Sequence, residues 1–212
     1  MEDMAFSLPR FYPILDADRL AQLGLDALSA ADEILEGGAH ILQYRNKRHY
    51  SRSVLHQMEQ MAQLCEQAHV PFVVNDRADL AALVGAALHL GQDDLPPSGA
   101  RRVTGPDTII GFSTHNEAQL RAAVNEPVNY LALGPVFGTS SKQNPDPVVG
   151  LDELKRLRPQ ARLPLVAIGG ITLENAKSVL DAGVDSVAVI GDVLRPVSGI
   201  RKRVEEWIQA TA

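Results

Sequence analysis

Eight short apolar runs, alternating with amphipathic segments at a spacing of about 20 to 30 residues, predict an α/β protein folded as a single-domain (βα)8 TIM barrel over residues 1–212. Two features favour a closed barrel over an open doubly wound sheet. Eight βα units in so short a chain suit closure, and no GxGxxG follows the first strand, as a dinucleotide-binding sheet would require. With 212 residues and 45% hydrophobic content, the chain can bury a sizeable core, and no solenoid repeat or low-complexity tract divides it.

The predicted strands, in order, are FYPILD (11–16), HILQYR (40–45), PFVVND (71–76), ALHLG (87–91), TIIGFS (108–113), YLALGPV (130–136), PLVAIGG (164–170) and SVAVIG (186–191). Their near-continuous apolar character is that of strands covered on both faces. Between them, residues 51–68 place Val54, Leu55, Met58, Met61, Ala62, Leu64, Cys65 and Ala68 on one helical stripe. Residues 172–182 carry their own boundaries, with Thr172 as N-cap and Gly183 as the C-terminal stop.

Composition removes several function classes. A net charge of −6, with no basic run interleaved with aromatics, argues against nucleic acid as a partner. The one cysteine, Cys65, excludes an intrachain disulfide framework and reads as a small buried side chain on a helix stripe. No apolar run approaches a membrane-spanning length, and MEDMAFSLPRFYP lacks the pattern of a secretory leader, so a cytoplasmic location is expected. Oligomeric state has no signal in the sequence.

In a barrel of this type the active site forms where strands end and βα loops begin. Polar residues collect at that rim. The second strand ends in Gln43, Arg45 and Lys47, the third in Asn75-Asp76, and the fourth runs into Gln92-Asp93-Asp94. The fifth ends at Ser113, the sixth opens into GTSSK (138–142), the seventh stops on Gly169-Gly170 and the eighth on Ile190-Gly191. Asp76 with one or both of Asp93 and Asp94 suits a hard, oxygen-ligated cation such as Mg²⁺. Zinc is disfavoured, since the six histidines form no HExxH and have no cysteine partners. Arg45, Lys47 and Lys142 offer the positive charge to neutralise the rest of a pyrophosphate. Gly170 and the backbone N–H groups near Ile190-Gly191 match the phosphate cradle that barrels build after strands seven and eight. Two phosphate-bearing groups are thus expected, one with metal and one without.

The series QYRNK, VND, HLGQDD, GFSTH, LGPVFGTSSK, AIGGI and VAVIG resembles the thiamine phosphate synthase family in order and spacing across nearly the whole chain. The resemblance implies a transferase joining hydroxymethylpyrimidine pyrophosphate to thiazole phosphate with release of pyrophosphate. It implies that Tyr12 and Gln43 contact the pyrimidine, that Arg45, Lys47, Asn75 and Lys142 hold the pyrophosphate, and that Asp76 with Asp94 binds Mg²⁺. Ser113 would lie close to the reacting centre as a hydrogen-bond donor or, alternatively, be a simple strand-end or N-cap hydroxyl. Thr139, Ser141, Gly170, Ile190 and Gly191 would hold the thiazole phosphate.

Two positions depart from the family pattern: many members carry Glu in place of Asn46 and Thr in place of Ser141. Asn46 is expected to point away from the pyrophosphate, and Ser141 keeps a hydroxyl donor. Arg45 and Lys47 are expected to act on turnover with little effect on folding. The long 137–150 span is expected to act as a lid that carries Lys142 inward. Two other readings stand beside the synthase: a related thiazole tautomerase, in which His115 would move protons, and a non-catalytic barrel that binds a phosphate ligand.

Overall fold

The computed structural model describes residues 7–139, 146–194 and 199–212. The first half comprises β1 (Phe11–Asp16), α1 (Ala17–Leu23), α2 (Ala27–Glu36), β2 (Leu42–Arg45), α3 (Arg52–Gln67), β3 (Phe72–Asn75), α4 (Ala78–Val84) and β4 (Ala87–Leu90). The second half comprises α5 (Pro97–Thr104), β5 (Ile110–Thr114), α6 (Glu117–Ala123), β6 (Tyr130–Leu133), α7 (Leu151–Leu157), β7 (Leu165–Ile168), α8 (Leu173–Asp181), β8 (Ser186–Val189) and α9 (Ile200–Thr211). Each strand pairs in parallel with the next, and β8 closes on β1 through Phe11↔Val187 and Tyr12↔Ala188, so the predicted closed barrel is the observed one.

The strands end sooner than their apolar runs. β7 stops at Ile168 because Gly169 and Gly170 take φ values of 102° and 64°, a left-handed backbone that leaves the ladder. β6 likewise stops at Leu133, ahead of Gly134-Pro135.

Strand parity sorts the side chains into two apolar layers. Phe11, Leu15, Leu42, Val74, Leu88 and Leu131 face the helices, and Phe11 stacks on Trp207 of α9 with centroids 5.2 Å apart. Tyr12, Ile14, Val73, Tyr130, Ala132, Val166 and Ala188 fill the barrel interior. Complete burial of each large aliphatic contributes roughly 1.5–3 kcal/mol. One interior contact is sterically exclusive: a Cβ on Gly111 would stand 2.1 Å from Tyr130 Cζ, so this register pair admits the tyrosine ring only because β5 has glycine there.

The helices follow their sequence signals. Ser51 accepts from Val54 N–H to start α3, and Met58, Met61 and Cys65 are buried, although Ala68 at its end is exposed. Burial pushes the Cys65 thiol up to about 12, in keeping with an inert core residue. Thr172 caps α8 in a reciprocal box with Asn175, and Gly183, at φ 92°, follows its last turn.

Candidate active site

At the C-terminal ends of β1 to β4 the charged residues pair. Asp16 and Arg45 are register partners on β1 and β2, and the Arg45 guanidinium donates to the Asp16 carboxylate. Asp16 is 4% exposed, and its other oxygen accepts from Arg19 N–H to cap α1. Arg45 is therefore a half-buried, fixed cation. Its removal would leave Asp16 as a buried carboxylate without its cation, which argues against the expectation that the fold would be spared.

Lys47, exposed on the loop after β2, places Nζ 2.5 Å from Asp76 Oδ2. Asp76 has φ 67°, and its N–H donates to the His89 carbonyl at 2.7 Å, which ties the β3 exit to β4. Burial raises the Asp76 carboxyl to about 6, a hydrogen bond shared with Asp94 adds to the rise, and Lys47 opposes both. Asp94 also accepts from Gly91 N–H at 2.6 Å. Of the adjacent pair it is Asp94 that turns to Asp76, while Asp93 is exposed. Beside the two carboxylates lies a cavity of about 350 Å³, lined also by Arg77, Leu95 and Val103. Asn75 is 6% exposed, and its Nδ2 finds no hydrogen-bond partner among the described residues.

The loop that presents Lys47 is held from within. Asn46 is buried, its Oδ1 accepts from Arg48 N–H at 2.8 Å, and its carbonyl accepts from the Tyr50 hydroxyl at 2.9 Å. The Arg77 guanidinium lies 4.8 Å from the Tyr50 ring centroid, linking the loops after β2 and β3. Asn46 thus spends its side chain on its own turn.

Inside the barrel, five side chains from five strands form a continuous hydrogen-bond chain. Gln43 Nε2 donates to the Tyr12 hydroxyl at 2.9 Å, the Tyr12 and Tyr130 hydroxyls are 2.8 Å apart, and Tyr130 Oη lies 3.1 Å from His89 Nδ1. His89 Nε2 is 2.9 Å from Ser113 Oγ. Tyr12 and Gln43 are almost wholly buried in the barrel interior. Ser113 lies at the end of β5, and α6 is capped by Asn116, so of the alternative roles the N-cap one falls away and the strand-end one stays. Gln92 Nε2 donates to the Ser113 carbonyl at 2.6 Å.

On the opposite side, Gly170 packs against the loop after β6. A Cβ there would stand 2.5 Å from the Gly138 carbonyl and 2.7 Å from Phe137 Cβ. Thr139 follows directly on that loop, and the Gly170 carbonyl accepts from Asn175 Nδ2 at 3.0 Å. Ile190 and Gly191 are half-buried, and a Cβ on Gly191 would meet nothing within 4 Å. Just beyond, buried Asp192 accepts from Trp207 Nε1 at 3.0 Å and from Arg203, anchoring the turn to α9. His115 Nδ1 donates to the Gly134 carbonyl at 2.7 Å. Ser141 and Lys142 lie outside the described residues, as does 140–145 of the span expected to form a lid.

Two neighbours of the site escaped sequence reasoning. Asp16 ends the first strand, so the strand-end rule applied to the other seven would have found it. Tyr130 opens an apolar run and carries no such signal. Among the described residues no three His, Cys, Asp or Glu side chains cluster as a metal site, and no helix is long and apolar enough to cross a membrane.

The family profile described as thiamine monophosphate synthase matches residues 11–193. A thiamine-phosphate synthase of Koribacter versatilis is 49% identical over 205 residues, covering 95% of each chain. One of Chloroflexus aurantiacus is 37% identical over 186 residues, covering 87% of this chain and 85% of its own. Among solved structures, a thiamine phosphate pyrophosphorylase from Pyrococcus furiosus superposes with a TM-score of 0.84 at 33% identity, covering 95% of both chains. The chain belongs to the thiamine monophosphate synthase family and is an enzyme, a transferase.

Proposed function

We propose that the chain catalyses Mg²⁺-dependent coupling of hydroxymethylpyrimidine pyrophosphate to thiazole phosphate, releasing pyrophosphate, as a cytoplasmic biosynthetic enzyme. The observation that carries this reading is the meeting of Arg45, Lys47, Asn75, Asp76 and Asp94 on one rim, with Lys47 Nζ 2.5 Å from Asp76 Oδ2.

The donor set fits magnesium. Two carboxylates close enough to share a hydrogen bond repel one another when both ionise, and a small divalent cation relieves that repulsion. A Mg²⁺ held by one or two carboxylates completes its sphere with water and substrate phosphate oxygens, so a third protein carboxylate is not needed. Bound through Asp76 and Asp94, the ion would supply charge to neutralise the pyrophosphate oxygens.

The protein groups serve departure and alignment. Arg45, oriented by Asp16, and Lys47 face the pyrophosphate with positive charge, and Lys142 joins them. The methylene C–O bond breaks with its electron pair leaving on pyrophosphate, and the electron-rich pyrimidine disperses the resulting charge. The thiazole nitrogen lone pair then forms the new C–N bond. No protein nucleophile is required. Gln43 and Tyr12 border the pyrimidine from the barrel interior. Thr139, Ser141, Gly170 and the Ile190-Gly191 backbone hold the thiazole phosphate, and the open space at Gly191 leaves room for an anion against the main chain.

The test is a direct assay for thiamine phosphate from the two partners, with and without Mg²⁺. Product that depends on both partners and on the metal is expected; binding of thiazole phosphate without product would leave a ligand-binding barrel instead.

A further inference from the structure

We propose that Tyr50 is a positioning residue: it braces the turn that carries Lys47 against the turn that carries Asp76, and so holds the lysine in place for the departing pyrophosphate. What Lys47 does there rests on the proposed transferase reading. How it is held rests on the geometry alone.

Lys47 is the middle residue of an Asx turn. Asn46 Oδ1 accepts from Arg48 N–H at 2.8 Å, so the two neighbours of Lys47 are joined across it. Asn46 is buried, but Lys47, Arg48 and His49 are exposed, in irregular chain between β2 and α3. Two side chains steady this stretch. Arg48 Nε pairs with Asp18 in the first turn of α1. The Tyr50 hydroxyl donates to the Asn46 carbonyl at 2.9 Å, a contact whose direction is fixed because a carbonyl can only accept.

Of the two, Tyr50 also reaches the facing carboxylate's turn. Its ring, half-buried against the main core, has the Arg77 guanidinium carbon 4.8 Å from its centroid. Arg77 follows Asp76 directly, and its N–H donates to the Asn75 carbonyl at 2.9 Å, closing a three-residue turn around Asp76 at φ 67°. Asp79 holds the guanidinium by a two-pronged pair at 2.8 and 2.5 Å. Tyr50 thus ties Asn46 to Arg77, the chain neighbours of Lys47 and Asp76, whose side chains meet at 2.5 Å. The brace uses no atom of either side chain. It therefore persists when an anion draws the ammonium away from Asp76, and it leaves only the torsions of the lysine stem to be ordered.

Calorimetry with inorganic pyrophosphate and excess Mg²⁺ on the full chain tests the brace without turnover. Tyr50→Phe keeps the ring beside Arg77 and loses the hydroxyl; Tyr50→Leu loses both. Kd for magnesium pyrophosphate is expected to rise about threefold in Tyr50→Phe and about tenfold in Tyr50→Leu. In a Lys47→Ala chain, which keeps Arg45 to bind the anion, either change should move Kd by less than about twofold, since a residue that acts through Lys47 then has nothing to position. Denaturant melts on the same preparations establish that each variant is folded. In the coupling assay, KM for thiazole phosphate should stay within about twofold of wild type in both Tyr50 variants. An unchanged Kd in Tyr50→Leu would overturn the proposal. So would an equal rise with and without Lys47, or a matching rise in KM for thiazole phosphate, either of which would make Tyr50 a general support of the rim. A wild-type chain that binds magnesium pyrophosphate but makes no thiamine phosphate would refute the transferase reading, while the brace would still be decided by the Kd values.

Discussion

Lys47 Nζ lies 2.5 Å from Asp76 Oδ2, yet Asp76 titrates at about 6, above its ordinary 3.8, because burial and the neighbouring Asp94 outweigh the lysine. The folded chain therefore holds the Asp76 proton more tightly than the unfolded chain does. Stability associated with that proton is fully present below 3.8 and is lost as pH rises through about 6. In the ligand-free chain, Asp76→Asn removes the strained charge, and asparagine tolerates the left-handed backbone at this position. Its unfolding midpoint is expected to exceed that of the wild type above pH of about 6, with the gap closing toward pH of about 4. Denaturant melts across that range measure it; a gap that widens on acidification would reverse the assignment.

Arg45 and Lys47 should separate in stability although both serve the leaving group. Arg45→Ala strands buried Asp16 and is expected to destabilise the chain by roughly 3 kcal/mol. Lys47→Ala breaks a pair whose lysine is 47% exposed, and a change below about 1 kcal/mol is expected. Both should lower kcat sharply. Adding Asp16→Asn to Arg45→Ala should restore much of the stability and none of the turnover, which melts and initial rates on the same preparations would check.

Magnesium requirement should discriminate within the adjacent carboxylates. Asp94 shares a hydrogen bond with Asp76, while Asp93 is exposed. Asp76→Asn and Asp94→Asn are expected to weaken apparent Mg²⁺ affinity about tenfold or more, roughly 1.4 kcal/mol, with Asp93→Asn near wild type. Titration of Mg²⁺ in the coupling assay reads this directly. If Asp93→Asn alone demands extra metal, the choice within the pair is wrong.

The two cradle glycines should fail in different ways. Gly170→Ala sets a Cβ 2.5 Å from a backbone oxygen at φ 64°, so loss of folding stability is expected. Gly191→Ala meets no protein atom within 4 Å, and its melting temperature should be unchanged. The new methyl instead enters the space allotted to phosphate, and KM for thiazole phosphate should rise about tenfold. An unaltered KM in Gly191→Ala would move the phosphate elsewhere.

Much of this site is legible because (βα)8 architecture puts every strand's C-terminal end on one rim. The residues at the end of each apolar run were enough to assemble Arg45, Lys47, Asn75, Asp76, Asp94 and Ser113 as neighbours. The same rule stopped short at Asp16, where the run FYPILD ends in a residue that also serves as a helix cap. The cap alone is a sufficient reason for an aspartate until its second oxygen is found on Arg45.

The amino-acid order alone determined what is local: eight buried strands from apolar run length, the limits of α8 from Thr172 and Gly183, and the rim residues from their places at strand ends. Tertiary structure decided which partners those residues take. Asp16 for Arg45 and the joining of Gln43, Tyr12, Tyr130, His89 and Ser113 depend on register between strands. Parity along a strand tells which side chains enter the barrel, but the height at which each one enters is set by the stagger of its neighbours. Only the closed barrel sets all eight staggers at once, because each strand's offset must agree with the next around the full circle.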